Sequence, residues 1–229
     1  HRIITTKGKK AFILTHEAEA TKNLFDISKR YYDNLPFGLC PIADKSSAKE
    51  LRFLEFDSGY SVATAGNKGA GRSQTIQLFH GSEVAFWEHT EEHATGALQS
   101  VSNDPGTEII LESTANGIGN YFHQMWCKAC SSESEYQSIF IPWYWQEEYK
   151  LSERGFKLDE EEQQIFDNYK NDGMTIEHMN WRRIKIKSLA GDFDTALELF
   201  KQEYPLSAEE AFRNPIDNVF INSKLVVRA

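Results

Sequence analysis

Strand-like and helix-like stretches alternate along the first 145 residues, and this alternation limits the possible folds more than any other feature. The apolar run at 10–15 predicts a strand buried on both faces, and residues 17–34 follow it with helical spacing. Further helices are predicted at 88–102 and from 113 to about 130. The other strand-like stretches lie at 50–56, 58–65, 75–80, 108–112 and 136–141. This order favours an α/β fold with a mostly parallel sheet and flanking helices.

The chain changes character after about residue 146. Its remaining part is polar and helix-like, and no strand pattern is convincing there. The predicted helices lie at 159–171, 175–189 and 192–204, with a short fourth helix after Ser207. We therefore expect two domains, an α/β core at 1–145 and a small helical region at 146–229.

Charge argues against one broad function class. The net charge of the 229 residues is −9, and both predicted domains are acidic. A protein that wraps nucleic acid through bulk electrostatics is therefore disfavoured, although a local DNA contact stays open. No apolar run approaches the roughly 18 residues that a membrane-spanning helix needs. The chain begins at His1 without an initiator Met, so we expect a piece of a longer protein.

The glycine-rich stretch 66–73 matches a phosphate-binding loop in spacing, with Arg72 in place of the usual Lys. Such a loop must open into a helix, whereas the residues at 75–80 alternate like a strand. We therefore disfavour a phosphate-binding loop here. Two alternatives stay open, a plain surface loop and a functional Arg72 that reaches a neighbouring site to stabilise phosphoryl charge.

Polar side chains follow two of the predicted strands, where parallel α/β sheets place their functional residues. Ser82 and Glu83 come after the strand at 75–80, and a carboxylate there suits holding a water or a metal ion. A solvated Glu that caps the next segment is the simpler alternative. Ser113, Thr114 and Asn116 follow the strand at 108–112, where they either contact a phosphate or cap a helix.

A zinc-like motif is present at 89–93. His89, Glu92 and His93 have the spacing that places two imidazoles and a glutamate on one helix face. A catalytic zinc site also needs a third ligand, and no neighbouring residue supplies one recognisably. A zinc hydrolase is therefore a minor alternative.

The basic cluster at 181–187 is the candidate nucleic-acid contact. Arg182, Arg183 and Lys185 belong to it, in an otherwise acidic region. On a helix these charges spread over more than one face, so a solvated face is favoured over a DNA-binding surface.

Taken together, four stretches in order resemble the ATPase portion of the phage large terminase subunit, the motor that packages viral DNA. The resemblance covers nearly the whole chain. Its matching stretches lie at 69–73, 82–87, 108–117 and 200–212.

The resemblance implies a P-loop NTPase fold whose cofactors are ATP and Mg²⁺. The strand at 75–80 would carry the Walker B segment, and Glu83 would orient the attacking water. Arg72 would act as an arginine finger on the ATP of the adjacent subunit. Ser113, Thr114 and Asn116 would form the motif that couples the nucleotide state to movement.

Two departures from the family pattern matter. Ser82 stands where many members carry Asp, and its neutral hydroxyl supplies no charge for binding Mg²⁺. The family's first strand and Walker A loop would precede the helix that ends near Thr6, and the sequence contains neither. We therefore expect the chain alone to be inactive, with residues 146–229 as a helical lid or linker and a nuclease domain beyond Ala229.

The resemblance also implies partners and a location. The partners would be double-stranded DNA, further copies of the protein in a ring, the phage portal and the small terminase subunit. The location would be the cytoplasm of an infected bacterial host, without membrane association. A degenerate, non-catalytic prophage remnant remains the main alternative.

Overall fold

The computed structural model describes residues 1–66, 75–88 and 90–213, with the side chains of residues 92–95 left out. Contacts divide the chain after Thr114 into two compact units. The domain boundary expected at residue 145 stays a prediction.

The first unit is built on a six-stranded sheet. Its strands in chain order are β1 Lys10–Thr15, β2 Lys45–Ser46, β3 Glu50–Phe53, β4 Ser58–Thr64, β5 Leu78–Ser82 and β6 Glu108–Glu112. Their order across the sheet is β2-β3-β4-β1-β5-β6. The neighbours β4, β1, β5 and β6 run parallel, while β2 and β3 add an antiparallel edge. The predicted α/β fold with a mostly parallel sheet is confirmed.

Three helices accompany this sheet: α1 Arg2–Thr5, α2 Ala18–Asp33 and α3 Thr90–Leu98. Phe25 on α2 is 2% exposed and stacks on Tyr60 of β4, with 5.9 Å between ring centroids. The opposite face of β1 buries Phe12, which packs against Phe79 of β5. Both faces of the central strands are therefore covered, as the apolar run at 10–15 predicts.

The strand after the glycine-rich stretch lies later than predicted. It was expected at 75–80, but β5 continues to Ser82, because Gly81 and Ser82 still pair with Leu111 and Glu112 of β6. The chain turns only at Glu83, whose φ of 54° is left-handed. The strand therefore ends directly beside its functional candidate.

The strand predicted at 136–141 is wrong. Burial alternates along this extended segment as in a strand, with Ile139 and Ile141 exposed, but no other described segment pairs with it. The helix predicted from 113 also begins later, at Tyr121. Gly117 and Gly119 have positive φ angles of 68° and 88°, so the chain cannot enter a helix before the cap residue Asn120.

The second unit is helical in its described part. Its helices are α4 Tyr121–Cys130, α5 Glu160–Tyr169, α6 Ile176–Ser188, α7 Phe193–Glu203 and α8 Ala208–Ala211. The structure confirms the predicted helices after residue 146. The prediction succeeded because their polar N-terminal caps can be recognised in the sequence. Asp159, Asp192 and Ser207 each accept a hydrogen bond from the backbone N–H three residues later.

An aromatic core holds the second unit together. Trp143 stacks on Trp181 of α6 at 5.3 Å and meets Phe200 of α7 edge-on at 5.8 Å. Met179 and Ile186 complete this core from α6. Among the described residues, no helix has the length and apolar character to cross a membrane.

Two phenylalanines of α7 give a matched test of this core. Phe200 is 1% exposed and Phe193 is 62% exposed. We expect Phe200→Ala to lower the free energy of unfolding by about 3–5 kcal/mol, because it opens a cavity among aromatic rings. Phe193→Ala should change it by about 0.5 kcal/mol or less. Urea denaturation of both variants measures the difference, and equal effects would contradict the assigned core.

Buried His178 predicts a pH dependence of stability. It is 2% exposed, and its Nδ1 accepts a hydrogen bond from the backbone N–H of Thr175 at 3.0 Å. Burial and the nearby Lys150 charge lower the pKa of His178 below its ordinary 6.5, whereas Glu147, Glu177 and the backbone of Gln146 act in the opposite direction.

The unfolded chain therefore binds the proton more tightly than the folded protein does, so acid favours unfolding. We expect the free energy of unfolding to fall as the pH drops through 6.5 towards the lower pKa of the folded state. His178→Gln keeps a side-chain acceptor for the cap and should flatten this slope. Replacing the exposed His1 by Gln should leave the slope unchanged. Denaturation curves from pH 5 to 8 provide the measurement, and an unchanged slope in His178→Gln would refute the assignment.

Candidate functional site

The candidate site lies where β5 and β6 end. The two strands are parallel, and Ser82 pairs with Glu112 in their register. The segments that follow therefore leave the sheet side by side. Glu83 follows β5, and Ser113 and Thr114 follow β6, so residues about 30 positions apart in sequence meet in space.

Three hydrogen bonds hold the carboxylate of Glu83. Its Oε2 accepts from the Oγ of Ser113 at 3.2 Å and from the backbone N–H of Thr114 at 3.1 Å. The hydroxyl of Thr114 donates a third bond at 3.2 Å. All three reach the same oxygen, so Oε1 takes no part in this contact with the segment after β6.

Glu83 adopts a backbone conformation that is unfavourable for its residue type. Its φ and ψ angles are 54° and 47°. A left-handed residue other than Gly costs roughly 1–2 kcal/mol, and such strain concentrates at functional sites. The conformation turns the chain sharply at the strand end, where the carboxylate meets the segment after β6.

Ser113 joins the two segments through one hydroxyl. Its oxygen accepts a hydrogen bond from the backbone N–H of Ala85 at 3.1 Å while the hydroxyl donates to Glu83. Ala85 is a buried residue of the 3₁₀ turn Val84–Phe86 that follows Glu83. The position of Ser113 is therefore linked to both the side chain of Glu83 and the backbone beyond it.

Trp87 and Gly81 also fix the end of β5. The indole Nε1 of Trp87 donates to the carbonyl of Ser82 at 2.8 Å. A Cβ at Gly81 would lie 3.0 Å from both the Trp87 ring and the Leu111 side chain. Glycine at this position therefore lets the indole close over the strand.

A second polar pair lies beside Ser82. The Nε2 of His80 donates to the Oε1 of Glu112 at 3.2 Å. Burial raises the pKa of Glu112, but hydrogen bonds from His80 and Ser82 outweigh it, so the net pKa lies below the ordinary value. Glu112 is therefore an ionised carboxylate beside the 7% exposed Ser82.

Sequence reasoning missed this His80–Glu112 pair. The signal was present, because both residues end strands that the alternation had identified. Finding the pair required the strand register. The register sets Ser82 directly opposite Glu112, and His80 reaches Glu112 from two residues earlier on β5.

Several sequence-predicted residues are not placed at this site. Arg72 and His89 lie outside the described residues, as do the side chains of Glu92 and His93. Asn116 lies beyond the division at Thr114, and its carbonyl accepts from Asn120 at 2.9 Å. Among the described residues, no group of three or more His, Cys, Asp or Glu could hold a metal ion. The zinc alternative stays a prediction.

The basic cluster of α6 is divided by the helix. The side chain of Arg182 is 6% exposed, whereas Arg183 forms a salt bridge with Glu162 and donates to the carbonyl of Lys157 at 2.8 Å. The ammonium of Lys185 lies 5.6 Å from the centre of the Tyr204 ring. Their contact with DNA stays a prediction.

Comparison with solved structures identifies the fold. The crystal structure of the HK97 bacteriophage large terminase matches 92% of this chain with a TM-score of 0.51 and 13% sequence identity. A large terminase from a thermophilic bacteriophage, in its crystal form 2, matches 57% of the chain with a TM-score of 0.42 and 11% identity. No protein-family model and no curated protein matches the sequence.

The HK97 match shows that the chain has the fold of part of a large terminase. The resemblance inferred from the four sequence stretches is thereby confirmed at the level of fold. The aligned chain spans 39% of the HK97 protein and 32% of the protein from the thermophilic phage.

Strain at Glu83 is open to a direct test. Glu83→Ala and Glu83→Gly both remove the three hydrogen bonds, but only Gly relieves the left-handed backbone. We expect the Gly variant to be more stable than the Ala variant by about 1 kcal/mol. The same pair of substitutions at Asp57, with φ of 44°, calibrates the backbone effect at a second left-handed position. An Ala variant as stable as the Gly variant would show that Glu83 is not strained.

Proposed function

Starting from the fold of a phage large terminase, we propose that this chain is part of a viral DNA-packaging motor. In this proposal, ATP hydrolysis drives translocation of double-stranded DNA into a capsid. One observation carries the proposal: Glu83, at the carboxyl end of β5, is held by Ser113 and Thr114 at the end of β6. This arrangement suits a carboxylate that positions a water molecule.

The proposed reaction is in-line attack of water on the γ-phosphate of ATP. Glu83 accepts a hydrogen bond from the attacking water and orients its lone pair towards phosphorus. Because Ser113 and Thr114 bind Oε2, Oε1 is the oxygen that this contact leaves for water. Little covalent chemistry is asked of the protein, so catalysis rests on position and charge.

The same hydrogen bonds provide a coupling route. Ser113 bonds both the carboxylate of Glu83 and the backbone N–H of Ala85. A shift of the segment after β6 would therefore move the whole carboxylate of Glu83, including Oε1. In the proposal, Ser113, Thr114 and Asn116 respond to the γ-phosphate and pass this response to the rest of the motor.

Oxygen ligands at the strand ends fit a magnesium ion. Mg²⁺ prefers oxygen ligands, and Ser82 and Glu112 supply a hydroxyl beside an ionised carboxylate. These two residues would hold the ion, which neutralises charge on the phosphates when it is bound. Glu112 would thus supply the negative charge that Ser82 lacks.

Arg72 completes the proposed chemistry from a neighbouring copy. An arginine supplied in trans stabilises the charge that develops on the transferred phosphoryl group. Copies of the protein would therefore work as a ring. In this proposal the ring acts in the host cytoplasm, and its partners are DNA, the phage portal and the small terminase subunit. Residues 1–229 contain no Walker A loop, so we propose that this chain alone does not hydrolyse ATP.

A subunit-mixing experiment tests both residues together in the complete gene product. We expect Arg72→Ala and Glu83→Gln each to lower DNA-stimulated phosphate release by about 100-fold or more. Mixed rings should recover part of the activity, because some interfaces then contain both native groups. The exposed Glu55, replaced by Gln, is the matched control and should retain full activity.

The outcomes separate the alternatives. Full activity in Glu83→Gln would refute the proposed role of Glu83, and no recovery on mixing would place Arg72 in its own subunit's site. A wild-type gene product that neither hydrolyses ATP nor translocates DNA would support the prophage remnant.

A further inference from the structure

A groove of about 410 Å³ lies in the helical unit, and none of the residues around Glu83 lines it. The start of α5, the second half of α6 and the first residue of α7 form its walls. Basic, acidic and apolar side chains all contribute to its lining. They are Lys157, Leu158, Asp159, Glu161, Glu162, Arg182, Arg183, Ile186, Lys187 and Phe193.

Arg182 is the unusual member of this lining. Its side chain is 6% exposed, and its buried Nε–H has no hydrogen-bond partner among the described residues. Its Nη2 is 4.0 Å from the carboxylate of Glu161, which is too far for a hydrogen bond. Burial lowers the pKa of Arg182, because the charged guanidinium is withdrawn from water.

The surrounding carboxylates are occupied or distant. Glu162 is bound by Arg183, and its backbone N–H donates to the carboxylate of Asp159 at 2.9 Å. Glu161 is 65% exposed. These charges, together with Glu210, favour the cationic form of Arg182 without supplying a direct acceptor for its Nε–H. A buried guanidinium whose Nε–H lacks an acceptor is costly, and a ligand that provides an acceptor recovers part of this cost.

We propose that this groove binds a single oxyanion, a phosphate or a carboxylate, against the guanidinium of Arg182. A planar guanidinium presents paired donors that match two oxygens of such a group. Lys157 and Lys187 are exposed at the groove and add positive charge. Leu158, Ile186 and Phe193 offer an apolar wall to the rest of the ligand.

The charge pattern favours one oxyanion over a DNA backbone. Glu161 and Asp159 line the same groove as Arg182 and would repel a continuous row of phosphates. A single anionic group needs only Arg182 and the exposed Lys157 and Lys187, which line the same groove. The proposal therefore differs from a DNA contact along α6 and is independent of ATP hydrolysis.

The Nε–H resonance of Arg182 provides a local probe in ¹⁵N-labelled protein. Arg182→Lys identifies this resonance by removing it. We expect inorganic phosphate and acetate, each added at constant ionic strength, to move the resonance with saturation at roughly millimolar concentration. Whichever of the two binds more tightly identifies the ligand class as phosphate or carboxylate.

Variants that keep Arg182 maintain the test if its replacement unfolds the protein. Lys187→Met should weaken binding a few-fold, and Phe193→Glu should weaken it about tenfold by placing a carboxylate at the groove. Lys201→Met is the control, because Lys201 lies outside the groove and pairs with Glu198. It should leave the binding curve unchanged.

Three results would overturn the proposal. The resonance could stay in place with both anions, or Lys201→Met could weaken binding as much as Lys187→Met does. A short DNA duplex could also move the resonance. If it did so at a lower concentration of phosphate groups than inorganic phosphate requires, the groove would be assigned to DNA instead.

Discussion

The parallel pairing of β5 with β6 is the constraint on which the candidate site depends. Parallel neighbours end at the same edge of a sheet, and the register sets Ser82 directly opposite Glu112. That single alignment brings Glu83 to Ser113 and Thr114, and it brings His80 to Glu112. A shift of one residue in β6 would move its side chains, Glu112 included, to the other face of the sheet from His80 and Ser82. The chemistry of the site is thus a consequence of sheet geometry before it is a consequence of side-chain identity.

Sequence reasoning reached the fold because the fold leaves periodic signals, and it selected strand ends as candidate positions for a site. The apolar run at 10–15 and the caps Asp192 and Ser207 are local features, and the structure confirms them. The contact between Glu83 and Ser113 was beyond its reach, since it depends on a left-handed backbone that glutamate seldom adopts. The prediction of a strand at 136–141 was wrong for a related reason. Alternation shows that a segment can be a strand, whereas a strand also needs a partner.

The helical unit shows how adjacent residues of one charge can have different roles. Arg182 and Arg183 are neighbours in sequence, but a helix turns by about 100° per residue and points them to different surroundings. Arg183 lies at 4.3 Å over the ring of Phe156 and binds Glu162, while Arg182 is buried near Phe200. Consecutive basic residues in a sequence therefore need not form a basic surface in the structure. The net charge of −9 was the sounder guide, since carboxylates lie around both arginines, although only Arg183 is hydrogen-bonded to one.

Gly81 has a consequence for how such a protein can evolve. It contributes no functional group, yet the Trp87 indole closes over it and holds the carbonyl that precedes Glu83. A single methyl group at this position would push against the indole and so disturb a carboxylate two residues away. Selection on a site at this strand end would therefore also act on position 81, through the packing of the indole alone. A substitution at position 81 would therefore impair the site while every recognisable motif remained intact.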